Sequence, residues 1–269
     1  MKSISPSGRA FAENLFRNSI YQNTHLGWLE LWDLPSAGGN ILIDRDNGRN
    51  FLIAIQPAEK GTVWLHSFYA DSEPGDYPLV KKIKELSHGP HISLYAISSH
   101  QWFAGLLEQN IFRKSDEIVE LETAEIRQPV HLYSSRSHAF SYAVSEDIIR
   151  EFEQAFPPLW RLNSAEIHCA CETSSYKLVL KEERKNIGCL LADFADGNCH
   201  IQRISVLPEF RNQGAASLMI RQMIKDAEKS GINHFSVNTN KNNTAAMQLY
   251  KHMNFMTQVK SFPVYYRYI

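Results

Sequence analysis

The 269-residue sequence has no apolar run approaching the ~18 residues that cross a bilayer. No membrane-spanning helix is expected. Its first residues, Met1-Lys2-Ser3-Ile4-Ser5-Pro6, lack the hydrophobic stretch of a secretory leader, so a cytoplasmic location is the expectation. Net charge is small: 28 Lys and Arg stand against 29 Asp and Glu, −1 overall, with no long block of one sign. That balance argues against a protein that holds nucleic acid on a broad basic face. Cysteine is scarce. The four, Cys169, Cys171, Cys189 and Cys199, lie in the second half without CxxC spacing or a nearby His pair. Reduced, mostly buried thiols are expected, and no metal site. Low-complexity sequence is absent. What is present is 43% hydrophobic and 21% charged, enough to build a core. The length allows one large domain or two of roughly 100–200 residues.

The second half has the clearer punctuation. Ser145-Glu146-Asp147 starts a helix whose apolar stripe is Ile148, Ile149, Phe152 and Phe156, and Pro157-Pro158 stops it. Asn163 or Ser164 opens a shorter helix. Strands follow over 176–181 and 187–194 around a polar turn, and a third spans 199–207, running out at Pro208. A long helix covers 214–229, with Leu218, Met219, Met223, Ile224 and Ala227 on one face and Gly231 at its end. A strand over 234–239, a helix over 243–252 and two last strands broken near Pro263 complete the order. The meander strands should be antiparallel. The strand after the long helix should be parallel to the one before it.

The first half gives strands over 51–56, 62–68, 91–97 and 117–122 and helices over 77–87 and 99–110. It can be laid over the second half. Leu106-Leu107-Glu108-Gln109-Asn110-Ile111-Phe112 aligns without gaps on Leu249-Tyr250-Lys251-His252-Met253-Asn254-Phe255, a weak internal repeat. The expected division is 1–134 and 135–269.

Two segments carry chemistry. In Val206-Leu207-Pro208-Glu209-Phe210-Arg211-Asn212-Gln213-Gly214-Ala215-Ala216-Ser217, a strand ends at proline, a loop carries Arg and Gly, and a helix begins at once. Unpaired N–H groups and a partial positive charge at that helix start suit an anion, above all a diphosphate. The small Gly214 and Ala216 admit close approach. About thirty residues on, Asn243 sits at a helix start, and Ala246, Leu249 and Tyr250 share one face.

Together, Val206-x-Pro208-x-x-Arg211-x-x-Gly214-x-Ala216 and Asn243-x-x-Ala246-x-x-Leu249-Tyr250-x-x-x-Asn254-Phe255 resemble the GCN5-related N-acetyltransferase (GNAT) superfamily over about residues 140–260. The sequence departs from the family pattern at Asn254, where glycine is usual; Asn tolerates the left-handed conformation. The layout is similar to tandem bacterial GNAT proteins whose C-terminal copy alone keeps the cofactor loop. The resemblance implies an α/β fold: two tandem GNAT-like domains, each a mixed, mostly antiparallel sheet flanked by helices, with a splayed parallel strand pair. It implies acetyl-CoA as co-substrate, with backbone at Ile204, Ser205 and Val206 bonding the pantetheine arm. Arg211, Asn212, Gln213, Gly214, Ala215, Ala216 and Ser217 would cradle the pyrophosphate, and Asn243 would contact the pantetheine. Tyr250 would be the general acid toward the leaving thiolate.

The attacking amine must lose a proton. His200 is the candidate base, expected to alternate with Gln202, Ile204 and Val206 on one strand face. A water chain, Asp193 or Glu166 are alternatives. In the first half the corresponding loop, Tyr69-Ala70-Asp71-Ser72-Glu73-Pro74-Gly75-Asp76, has three acids and no Arg-x-x-Gly, and Leu107 stands where the second half has Tyr250. A degenerate copy that binds no acetyl-CoA follows. The expected partner is a small-molecule or peptide amine acceptor, with no nucleic acid and no membrane. The competing reading is a non-catalytic acyl-CoA-binding or regulatory module. Oligomeric state is not encoded legibly.

Overall fold

The computed structural model describes residues 6–24, 31–58, 61–87, 92–124, 138–255 and 257–269. The expected boundary at 134/135 falls outside them. Contacts gather the chain into two compact units: Met1–Asp116 with Phe262–Ile269, and Glu117–Ser261. Among the described residues no helix is long and apolar enough to cross a membrane.

In order, the first unit has α1 (Pro6–Asn18), β1 (Tyr21–Thr24), β2 (Asn40–Asp46), β3 (Arg49–Pro57), β4 (Thr62–Ala70), α2 (Leu79–Ser87), β5 (Ser93–Ile97), α3 (Gln101–Gln109) and the start of β6 (Arg113–Thr123). The second has the rest of β6, then β7 (His138–Ser141), α4 (Glu146–Glu153), α5 (Ser164–Thr173), β8 (Tyr176–Glu182), β9 (Lys185–Ala195) and β10 (Asn198–Val206). It continues with α6 (Ala215–Lys229), β11 (His234–Asn240), α7 (Thr244–His252) and the start of β12 (Thr257–Tyr268). This is a mixed α/β architecture built on parallel and antiparallel strands.

The first unit's sheet runs β2-β3-β4-β5-β12, with β1 also paired to β4. Only β4–β5 is parallel, and α2 makes the crossover. The second unit's sheet runs β6-β11-β10-β9-β8-β7, with only β10–β11 parallel and α6 as the crossover. The antiparallel meander and the parallel pair thus match the sequence reading in both units. The last strand of each half lies in the other half's unit. β6 pairs with β11 from Ile118 to Thr123, and β12 pairs with β5 from Val264 to Tyr268. The expected break at Pro263 does not occur. Pairing to β5 starts one residue later, so the missing N–H interrupts no bond there, and the Pro263 carbonyl accepts from Ser98 N at 3.0 Å.

Apolar periodicity explains the second core. Met219, Ile220, Met223, Ile224 and Ala227 of α6 are buried against Leu178, Leu190, Ile201, Phe235 and Val237 of the strands. Gly188 allows the helix to sit low on the sheet: a Cβ there would stand 2.6 Å from Met219 Cε and 3.2 Å from the Ser205 carbonyl. α4 ends at Glu153, ahead of the expected proline stop, and Phe156 lies beyond it. Glu153, 4% exposed, accepts from Arg203 at 2.6 Å and from Leu162 N at 2.8 Å. Asn163 and Glu166 form a full capping box at the start of α5.

At the outer end of α6, Asp226 accepts hydrogen bonds from Tyr142 Oη (2.7 Å), Tyr176 Oη (3.0 Å), Gln222 Nε2 (2.9 Å) and Lys229 Nζ (2.7 Å). Burial pushes its carboxyl upward, but the four donors together outweigh that and bring it down to about 2. A depressed carboxylate stabilises the fold above its unfolded value of about 4 and loses that contribution as pH falls through about 2. Asp226→Asn should therefore cost about 1 kcal/mol at pH 7. The gap between wild type and variant in urea midpoint should close between about pH 4 and 2. A gap unchanged across that window would contradict the assignment.

Candidate functional site

The site begins with a strand that changes partner halfway. β10 and β11 pair from Asn198↔His234 to Ile201↔Val237 and then part, although β10 continues to Val206 and β11 to Asn240. Each keeps its outer neighbour: β10 stays on β9 as far as Val206↔Gly188, and β11 stays on β6 as far as Asn240↔Ile118. The parting coincides with a β-bulge. Ile201 faces Ala192 and Arg203 faces Leu191, leaving Gln202 as the extra residue. A bulge bends the strand and increases its twist, which swings residues 202–206 away from β11. Alternate residues there turn N–H and C=O into the gap.

The bulge corrects the expected alternation. Ile201, Ile204 and Val206 all pack with the α6 core, so His200 and Ile204 do not share a face. His200 Nδ1 instead meets Ser236 Oγ of β11 at 2.8 Å. Burial lowers the pKa of His200 below 6.5, against the upward pull of Glu120 and Asp193, so the ring is neutral at neutral pH. In the tautomer whose Nδ1 proton is donated to Ser236 Oγ, Nε2 is the free base. The two weaker candidates are already engaged. Asp193 accepts from Ser175 N at 3.2 Å and Gln202 Nε2 at 2.5 Å, and Glu166 accepts from Asn163 N at 2.9 Å.

The loop after β10 folds as a short 3₁₀ turn, Pro208–Phe210, and two left-handed residues, Asn212 (φ 58°) and Gly214 (φ 91°). Left-handed residues in such loops are the ingredient of backbone anion nests. Gly214 is also the N-cap of α6, without a side chain to cap it, so the first N–H groups of a 15-residue helix are left for a ligand. Arg211 braces this loop: its Nε donates to the Val206 carbonyl at 3.1 Å and its guanidinium reaches the Ala155 carbonyl at 3.4 Å. Gln213 does likewise on the Glu209 carbonyl at 2.7 Å. With the Arg211 and Gln213 side chains turned to carbonyls, what this loop offers an anion is backbone N–H, with the Arg211 charge at its side. Ala215 is buried, while Ala216 and Ser217 are half-buried on the first turn.

Asn243 caps α7, its Oδ1 accepting from Ala246 N at 3.2 Å, which leaves its amide N–H₂ to donate. Tyr250, 3% exposed, lies with Phe255 at 5.6 Å between ring centres. Burial pushes its phenol far above 10, and its hydroxyl has no partner among the described residues. Asn254 takes the left-handed conformation (φ 71°), which resolves its departure from glycine.

Sequence reasoning missed Ser236, Asn238 and Asn240. Asn238 Oδ1 and Asn240 Oδ1 are buried without a hydrogen-bond partner, on the part of β11 that has left β10. Buried acceptors of this kind are costly unless a donor arrives. They fit a ligand carrying amide N–H groups, as the pantetheine arm of acetyl-CoA does. The signal was present as polar residues alternating at a strand end, but nothing in the sequence marked where the neighbouring strand diverges.

The first unit repeats the frame with a different loop. The end of α3 matches the end of α7 bond for bond. Asn110 N donates to Leu106 O and Phe112 N to Leu107 O, as Met253 N does to Leu249 O and Phe255 N to Tyr250 O. Ile111 (φ 61°) even takes the left-handed position of Asn254. Its loop is different: Asp71 is held by Asn50 N and Nδ2 at 3.1 and 2.5 Å, and Asp76 pairs with Arg49 at 3.4 Å. Among the described residues no cluster of His, Cys, Asp or Glu gathers as metal ligands would.

Residues 142–255 match the model of the acetyltransferase (GNAT) family. The fold is shared with solved structures, among them the following three. A GCN5-related N-acetyltransferase from Sphaerobacter thermophilus is 13% identical, with a TM-score of 0.59 over 81% of this chain and 76% of its own. A GNAT-family acetyltransferase from Colwellia psychrerythraea is 14% identical, TM-score 0.57, covering 99% and 97%. A tandem GNAT protein from the clavulanic acid biosynthesis pathway is 9% identical, TM-score 0.57, covering 85% and 83%. No curated protein matches the sequence.

Proposed function

We propose, on the premise that residues 142–255 form a domain of the GNAT family, that this chain moves an acetyl group from acetyl-CoA to a primary amine of a small molecule or peptide. The observation that carries the reading is the parting of β10 from β11 after Ile201 and Val237, with two unpartnered amide oxygens on one lip. The left-handed Gly214 and the start of α6 follow on the other strand.

The thioester supplies the activated acyl group. Backbone N–H groups of the loop and of the first turn of α6 hold the pyrophosphate. Backbone of Ile204, Ser205 and Val206 bonds the extended arm from one side of the gap, and Asn238, Asn240 and Asn243 bond it from the other. A backbone N–H at the bulge faces the thioester oxygen and stabilises the charge that develops there. His200, neutral and oriented by Ser236, takes the proton of the attacking amine, directly or through water. Tyr250, held protonated by burial, gives its proton to the departing sulfur. The first unit takes no acetyl-CoA, since its loop presents carboxylates where a diphosphate needs N–H groups.

The test is release of free thiol from acetyl-CoA against a panel of primary amines, with secondary amines and alcohols as controls. Thiol release that depends on a primary amine is expected. Tight acetyl-CoA binding with no release on any amine would replace this reading with a non-catalytic acyl-CoA sensor.

A further inference from the structure

Both units open a gap in a parallel strand pair, at corresponding places. In the first, β4 and β5 pair from Thr62↔Ser93 to Leu65↔Ala96 and then part, with His66 as the bulge residue against β3. In the second, β10 and β11 part after the same four pairs, with Gln202 as the bulge residue. The two gaps differ in what lies inside them.

In the first unit the gap holds β1. It runs antiparallel along the freed end of β4, from Tyr21↔Ala70 to Thr24↔Ser67. Its side chains secure both lips. Thr24 Oγ1 meets Tyr69 Oη of β4 at 2.9 Å. Asn23, 2% exposed, donates from Nδ2 to the Ile97 carbonyl at 3.0 Å and accepts at Oδ1 from Ser99 N and Ser99 Oγ, both at 3.0 Å. Tyr21 packs edge-on against Trp102 at 5.2 Å. Counting on from the last paired residues, Ile97 and Ser99 correspond to Asn238 and Asn240 of the second unit. Those are the residues whose side-chain oxygens are buried and unpartnered. On the first lip the Ile97 carbonyl and the Ser99 N–H and hydroxyl are bonded by the chain's own strand, while on its counterpart the two side-chain oxygens lack donors.

We propose that β1 is a built-in occupant of the first unit's gap, lying where an extended, amide-bearing ligand arm would lie, and that it closes this gap to acyl-CoA. The inference goes beyond the acidic loop, because it explains how a unit that has lost its ligand keeps a split strand pair without unpaired backbone. A strand bonded along four residues and anchored by a buried asparagine is part of the fold, not a gate.

Hydrogen exchange on the whole protein, with and without acetyl-CoA, tests it. Amides at 67–70 should be slow in both conditions, whereas amides at 202–206 should slow by about tenfold or more when acetyl-CoA is added. Asn23→Ala, which removes the three anchoring bonds, should speed exchange at 67–70 by about tenfold and leave the response at 202–206 intact. Fast exchange at 67–70 without ligand, added protection there with acetyl-CoA, or no effect of Asn23→Ala would each overturn the proposal. Slow exchange at 67–70 with no response at 202–206 would uphold the plug and sink the acetyl-CoA reading of the second unit.

Discussion

Tyr250→Phe is expected to lower kcat by roughly 10²–10⁴-fold, the usual range for a lost general acid, while acetyl-CoA affinity and fold survive. Phenylalanine keeps the ring, and with it the contact to Phe255 and the place in the core. What is lost is a hydroxyl with no partner among the described residues. That hydroxyl is not among the buried side-chain oxygens that lack a partner, so it keeps access to solvent, and its loss should leave the stability within about 0.5 kcal/mol of wild type. A structural tyrosine behaves the opposite way, losing stability and keeping turnover. The pair of readouts, kcat and urea midpoint, therefore separates the two roles. Unchanged kcat would remove Tyr250 from the chemistry. The phenol, pushed far above 10 by burial, also stays protonated at neutral pH and can act as a proton donor there.

Gly214→Val should weaken acetyl-CoA binding by about a hundredfold or more, enough to remove roughly 2.7 kcal/mol of affinity. Two effects act together. Gly214 sits at φ 91°, where a β-branched residue is strained by about 1–3 kcal/mol, so the loop must rearrange. The added methyls also stand at the N-cap of α6, beside the N–H groups that would meet phosphate. Far-ultraviolet circular dichroism should stay that of the folded chain, because the α6 core residues from Met219 to Ala227 are untouched. Normal affinity in a folded variant would remove the loop from the binding site.

The sequence made the frame legible wherever local signals and tertiary structure agree. The meander, the long helix and the parallel strand come from apolar periodicity and turn residues, and their observed ends lie within a few residues of the reading. The alignment of residues 106–112 with 249–255 survives as matched helix-end hydrogen bonds. Three features were illegible for physical reasons. The bulge at Gln202 is set by pairing to β9, and a glutamine carries no local mark of it. The exchange of β6 and β12 between units is a choice between partner strands distant in sequence, which local signals do not encode. β1 is a four-residue polar strand, Tyr-Gln-Asn-Thr, whose pairing depends on a gap made elsewhere. At the candidate site, Gly214, Asn243 and Tyr250 were singled out by the resemblance of their two motifs to the family pattern. Ser236, Asn238 and Asn240 were not, because their significance lies in where β11 loses its neighbour.

One acetyl-CoA site per chain, in the second unit, is what the proposed function requires. The first test is isothermal titration of acetyl-CoA into the 269-residue chain. A stoichiometry of one is expected, lost in Gly214→Val and kept in Tyr250→Phe. No binding to the wild type, or two sites per chain, would contradict it.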